Sequence, residues 1–174
     1  ASYKWPASPE ALREGGFDRI DGVIHLAGEP IIGIWTPGKR RTILKSRINT
    51  TRHLVSMMEH FPQRPSFFIS ASSDGWYGDR GDDILMEDEP AGSGFLADVC
   101  VQWEREAIEA EQLGMKVVRL RSSSVLGLTG GFFKPQLLLY RLGLGGHLGS
   151  GRQWWSWIHQ EDWIRIIIQL IESP

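Results

Sequence analysis

The 174 residues carry 19 Lys and Arg against 21 Asp and Glu, a formal net charge of −2, with 41% hydrophobic and 23% charged residues. That balance suits one globular domain with a sizeable core and gives no electrostatic reason to expect nucleic acid or an anionic membrane as partner. The one cysteine, Cys100, excludes an internal disulfide and a cysteine-based zinc knuckle and fits a reducing, cytoplasmic setting, and there is neither a run of about 18 apolar residues nor an apolar signal-peptide core.

In chain order, residues 1–17 read as a lead-in with a short helix around 9–14, ended by Gly15-Gly16. Asp21–Gly28, DGVIHLAG, reads as a buried strand stopping at a glycine, with His25 a core histidine that finds a partner. After the loop Glu29–Thr36, Pro37 opens a helix: Thr36 is a suitable N-cap and proline at the first helical position is pre-set in φ. Leu44, Ile48, Thr51, Val55 and Met58 mark its buried face at three-four spacing, and Pro62 and Pro65 close it. Ser66–Ser72, SFFISAS, is a second buried strand, and Ser73–Gly94 is an acidic loop rich in turn residues. Phe95–Leu113 is a second amphipathic helix with Leu96, Val99, Trp103, Ala107 and Ala110 inward and Gly114 as its stop. Met115–Arg121 is a third strand. A short helix at Phe132–Leu142, an extended piece at Ser156–Ile158 and a last helix at Glu161–Glu172, with Ile164, Ile167, Ile168 and Ile171 inward, complete the chain.

Apolar strands alternating with helices predict an α/β fold: a doubly wound parallel sheet covered on both faces, with right-handed crossovers. Ligands in such sheets bind beyond the carboxyl ends of the strands, here Ala27-Gly28, Ala71–Ser73 and Arg121–Ser124.

Several motif matches fail on physical grounds. Gly33–Lys39 fits most of a phosphate-binding loop, but Arg40 stands where Ser or Thr must ligate magnesium, and Pro37 removes a backbone N–H from the cradle. No G-x-S-x-G elbow is present, which disfavours an α/β-hydrolase. The five histidines show no metal-ligand spacing, so no metal is expected. What remains is Ser70-Ala71-Ser72-Ser73 followed by Trp76-Tyr77-Gly78. Those hydroxyls either bind a ligand carbonyl or ribose, or cap the backbone of the loop. Arg141–His159, which sets five glycines beside Trp154, Trp155 and Trp157, is either the wall of a site or a surface loop.

HLAG at His25–Gly28, SASS at Ser70–Ser73, YGDRGD at Tyr77–Asp82, FLADVCVQWE at Phe95–Glu104 and the stretch Arg141–His159 occur in an order that resembles the bacterial nucleoside-diphosphate-sugar-epimerase-like family of atypical short-chain dehydrogenases. The resemblance runs from about Trp5 to the end. It implies an incomplete Rossmann fold binding NAD(P), with NADP favoured, and a substrate region beginning at about 128–160. By position, Leu26, Ala27 and Gly28 would line the adenosine and ribose side of the cofactor, Arg47 would stand among the cofactor-binding residues where related epimerases usually have an asparagine near the active site, and Ser70, Ala71 and Ser72 would line the nicotinamide side, with Arg121, Ser122, Ser123 and Ser124 following the third strand beside it. Ser72, Ser73 and Tyr77 would carry chemistry, and Glu29, Arg152, Gln153 and Trp157 would face a sugar-like or nucleotide-linked substrate.

The chain departs from the family pattern in two places. No glycine-rich strand–helix turn occurs in the 174 residues. The chain is therefore expected to be an internal piece, to bind NAD(P) weakly by itself, and to expose a sheet edge prone to self-association. The Tyr-x-x-x-Lys pair of short-chain dehydrogenases is replaced by Phe95 and Val99, which carry neither proton nor charge. This leaves two readings, an NAD(P)-dependent epimerase or oxidoreductase and a non-catalytic NAD(P)-binding sensor or scaffold.

Overall fold

A computed structural model describes residues 19–128, 133–147 and 149–172, so the expected helix around 9–14 lies outside the described residues. The chain divides into two units, one made of residues 1–72 and 98–120, the other of 73–97 and 121–174.

In the first unit, β1 (Gly22–His25) pairs in parallel with β2 (Phe67–Ser73), from Gly22 opposite Phe67 to His25 opposite Ser70. With β3 (Lys116–Ser122) they form a sheet in the order β1-β2-β3. β1 is shorter than the apolar run Asp21–Gly28 because pairing ends at His25, and Leu26 beyond it is 48% exposed. Apolarity marks a strand but does not say where its partner stops.

The helix α1 (Pro37–Met58) connects β1 to β2 and starts where its chemistry requires. The Lys39 N–H donates to Thr36 Oγ1 at 3.2 Å, and proline occupies the first turn, where its missing N–H costs nothing. A capped helix start is thus what the decoy phosphate loop at Gly33–Lys39 becomes. Its buried face holds Ile43 rather than Leu44, together with Ile48, Thr51, Leu54, Val55, Met57 and Met58. The helix α2 (Phe95–Ile108) tightens into a 3₁₀ turn, Glu109–Leu113, before Gly114. Val99, Trp103, Ala107 and Ala110 are buried as their spacing predicts. Leu54, Met58, Phe61, Phe68, Ala107 and Met115 belong to an apolar core of this unit.

In the second unit a 3₁₀ turn, Asp74–Tyr77, follows β2 directly, and β4 (Ser124–Leu126) pairs in parallel with β5 (Trp157–His159). At three residues, β4 is too short to show periodicity, and the sequence did not signal it. The helices are α3 (Phe133–Arg141) and α4 (Gln160–Glu172), the latter packed on β4 and β5. One expectation is corrected here. Only Ile167 of α4 is buried, while Ile164, Ile168 and Ile171 are each at least 40% exposed. An apolar stripe fixes which face a helix would bury, not how far that face is covered. Among the described residues no helix is long and apolar enough to cross a membrane, and no three His, Cys, Asp or Glu side chains gather to hold a metal.

Candidate active site

The end of β1 is organised by α1. Arg47 donates to the Glu29 carbonyl at 3.0 Å and to the Ile43 carbonyl at 3.2 Å, and its guanidinium lies 5.2 Å from the centre of the Trp103 ring. This closes one side of Gly28, where an added Cβ would meet Arg47 Cζ at 3.1 Å. Burial pulls the Arg47 guanidinium below its ordinary value, opposed by Cys100 and Glu29. Glu29 itself pairs with Lys39, and its N–H donates to Ser46 Oγ. Leu26, Ala27 and Gly28 stay open to solvent past the strand.

His25 is the core histidine its strand position implies. Its ring stacks with Phe68 at 6.3 Å, and Nε2 lies 3.0 Å from Thr51 Oγ1. The single hydroxyl hydrogen of Thr51 goes to the Arg47 carbonyl at 2.7 Å, so Nε2 is assigned as the donor. Burial lowers the His25 pKa from its ordinary 6.5. Below that value the unfolded chain takes up a proton that the folded chain resists, so stability must fall as the pH drops. Urea unfolding at about pH 7.5 and about pH 5.5 is expected to show this loss, and a His25→Asn variant to show less of it.

The hydroxyls of β2 have distinct partners. Ser70 is buried and donates to the Ala71 carbonyl at 3.1 Å. Ser72 is buried and donates to Glu104 Oε1 at 2.6 Å, while Glu104 Oε2 pairs with Arg119 at 3.4 Å. Glu104 was missed in the sequence. Its signal is a lone acid on the apolar face of α2, four residues after Cys100 and three before Ala107. Val99 is 2% exposed and belongs to the same buried face, so a lysine's role is not merely unfilled there: the position is core.

The chemistry-bearing groups of the second unit gather at the turn after β2. The Gly75 N–H donates to Ser73 Oγ at 3.1 Å, and the Ser73 hydroxyl donates to Asp74 Oδ1 at 3.0 Å. Burial pushes the Asp74 carboxyl above its ordinary 3.8, against hydrogen bonds from Ser73, Gly75 and its own backbone. Asp74 also escaped the sequence reading, although it directly follows the hydroxyl run. The Arg121 guanidinium lies 3.9 Å from the centre of the Trp76 ring, donates to the Tyr77 hydroxyl oxygen at 3.1 Å and to the Glu87 carbonyl at 2.9 Å. Folding therefore gives Tyr77 a cationic neighbour from 44 residues away, which no local motif supplies. Ser122, Ser123 and Ser124 are half-buried, and Ser124 Oγ accepts from the Trp155 indole at 2.8 Å.

Of the residues expected on the substrate side, Arg152 and Trp157 are exposed, Trp157 at 62%, and Gln153 Oε1 accepts from Ser150. Gln153 lines a cavity of about 650 Å³ with Gln136, Leu139, Tyr140, Trp154 and Trp155 among its walls.

Known proteins resemble this chain in sequence and in fold. Residues 8–174 match the model of the NAD dependent epimerase/dehydratase family. An epimerase family protein of Staphylococcus haemolyticus is 38% identical over 156 residues, covering 89% of this chain and 52% of that protein. The crystal structure of human epimerase family protein SDR39U1 (isoform 2) with NADPH superposes with a TM-score of 0.84 at 31% identity, over 95% of this chain and 57% of that one. The nucleoside-diphosphate sugar epimerase from Corynebacterium glutamicum gives a TM-score of 0.74 at 33% identity, over 94% and 33%. The chain spans about half the length of the curated relatives it matches. The α/β fold with a parallel sheet expected from the strand–helix alternation, and the Rossmann type that the resemblance implies, are the fold of these neighbours. With a parallel sheet, hydroxyls at the end of its central strand and a family match along nearly its whole length, this chain belongs to the NAD-dependent epimerase/dehydratase family.

Proposed function

We propose that the chain is part of an NAD(P)-dependent epimerase-like oxidoreductase acting on a small-molecule alcohol or carbonyl, with the turn Ser73–Tyr77 as its proton-handling centre. NADP is favoured over NAD, the support being the human relative solved with NADPH. The resemblance points to a sugar-like or nucleotide-linked substrate. Bound NAD(P) would supply or accept a hydride. Leu26, Ala27 and Gly28 offer small or apolar exposed groups suited to its adenosine side, and it is the resemblance that would assign Ser70, Ala71 and Ser72, and likewise Arg121, Ser122, Ser123 and Ser124, to the nicotinamide side. Glu29, Arg152, Gln153 and Trp157 complete it on the substrate side.

The observation that carries the proposal is the Ser73–Asp74 hydrogen bond beside an arginine-held tyrosine. The Ser73 hydrogen already points at Asp74, so a proton leaving a substrate hydroxyl can enter Ser73 Oγ as the Ser73 hydrogen moves to the carboxylate. Tyr77 accepts from Arg121 on its oxygen and keeps its own O–H to donate to a substrate oxygen. Ser72, held by Glu104, positions the strand end.

In the intact protein of which this chain is proposed to be part, with a panel of alcohols and carbonyls, Ser73→Ala, Asp74→Asn and Tyr77→Phe are each expected to lower kcat by about 10²-fold or more, with NADPH fluorescence on binding unchanged. Because Asp74 acts as its carboxylate, the rate should rise with pH through a limb lying above 3.8. Full turnover in both Ser73→Ala and Tyr77→Phe would remove these residues from the chemistry. NADPH binding without turnover of any substrate favours the second reading, a sensor or scaffold, for which Phe95 and Val99 speak. Among the described residues β1 lies at the edge of its sheet, with Ile24 half-exposed and Leu26, just past the strand, likewise, and this supports self-association in either reading.

A further inference from the structure

The cavity of the second unit has walls whose polar ends already have partners. The Trp154 indole N–H donates to Asp82 Oδ1 at 2.6 Å and the Trp155 indole N–H to Ser124 Oγ at 2.8 Å. The Tyr140 hydroxyl donates to the Gly146 carbonyl at 3.0 Å. These bonds fix the rings and leave ring faces and edges as what they offer a guest. Leu139 and Leu144 add further apolar surface. Gly145 is required by this geometry, since an added Cβ would collide with the Tyr140 ring.

Polar capacity in the lining is small and rests on two amides and one imidazole. Gln136 and Gln153 bring amides. His147 Nδ1 lies 3.0 Å from the Gly149 carbonyl, which can only accept, so Nδ1 carries a proton and Nε2 is the second ring position. Among the described residues lining the cavity none is lysine or arginine. A diphosphate carries two negative charges and calls for cations or a row of aimed N–H groups. Burying it against tryptophan and leucine without them is costly. At about 650 Å³ the cavity is in the range that holds a small organic molecule.

We infer that this cavity takes an uncharged, largely apolar ring compound, stacked on Trp154 and Trp155 and oriented through one oxygen by Gln136, Gln153 or His147, and not a phosphorylated sugar. The inference rests on the proposed reading of this region as the substrate side and, among the small-molecule alcohols and carbonyls proposed, favours a cyclic or aromatic ketone or alcohol over the sugar-like or nucleotide-linked substrate to which the resemblance points. The cavity walls are tied by Trp154 to Asp82 and by Trp155 to Ser124, segments that continue from Tyr77 and Arg121.

Saturation-transfer NMR and calorimetry on the full chain, with acetophenone, methyl glucoside and UDP-glucose as probes, test it without any turnover. Acetophenone is expected to bind, to resist displacement by the other two, and to weaken by about fivefold in Trp154→Ala and comparably in Leu139→Arg, which sets a cation among the apolar walls. Trp154 is 79% exposed, so its loss should leave the fold intact. Displacement of acetophenone by UDP-glucose or methyl glucoside overturns the inference, as does acetophenone affinity unaltered in both variants. NADPH binding, followed separately, reports on the cofactor reading whichever probe wins.

Discussion

Glu104→Ala is expected to lower the stability of the chain by about 3 kcal/mol, the lower end of the cost of breaking a buried ion pair. Glu104 is 2% exposed and receives the Ser72 hydroxyl at 2.6 Å and the Arg119 guanidinium at 3.4 Å. Truncation leaves the buried Ser72 hydroxyl without its acceptor and Arg119 without its counter-charge. The Arg119 side chain is 39% exposed and can turn to water, which keeps the loss at the low end. Glu104→Gln keeps the shape and an acceptor for Ser72 but loses the charge, so it should fall between wild type and alanine. Ser72→Ala should cost about 1.5 kcal/mol, the lower end for hydrogen bonds to charged groups, and a double-mutant cycle in urea should show coupling of about 1 kcal/mol. Additive effects would mean that the pair does not act as a unit. The result also bears on function, because activity lost in Ser72→Ala would then follow from the position of the end of β2 and not from contact with substrate.

Gly92→Ala should cut turnover by about 10²-fold, the penalty for misplacing a reacting group by about 1 Å, with a much smaller effect on melting. The Gly92 N–H donates to the Trp76 carbonyl at 2.9 Å. A Cβ at Gly92 would fall on the Tyr77 carbonyl and stand 2.9 Å from the Gly78 nitrogen. Those are backbone atoms that cannot swing aside, so the Asp74–Tyr77 turn must shift, carrying Tyr77 away from Arg121. Overpacking costs about 1–3 kcal/mol, and here it falls on one loop rather than on the core of the first unit. Gly38→Ala is a fitting control, since its Cβ meets only Thr36 Oγ1 at 3.8 Å. Circular dichroism melting and NADPH fluorescence separate misplacement from unfolding. Full activity in Gly92→Ala would detach the turn from the chemistry.

Local chemistry made much of the fold legible. The N-cap at Thr36, the proline at the start of α1 and the three-four spacing of Val99, Trp103 and Ala107 each act over a few residues and survive folding unchanged, and the apolar runs of β1 and β2 mark where the strands lie although β1 ends sooner than its run. The same locality explains the failures. β4 exists because β5 lies beside it, and the isoleucines of α4 stay open because only neighbouring elements decide coverage.

For the candidate site, the sequence by itself determined which hydroxyls end β2, that Tyr77 follows them, that Phe95 and Val99 stand in place of the usual pair, and that glycines and tryptophans crowd Arg141–His159. Tertiary structure alone decided their states. It engaged Ser72 with Glu104, aimed Ser73 at Asp74, brought Arg121 onto Tyr77, and fixed Trp154 and Trp155 by their indole nitrogens. Hydrogen bonds, burial and charge depend on distances in space, and except for the Ser73–Asp74 bond these join residues 31 to 72 positions apart, so no reading along the chain could assign them.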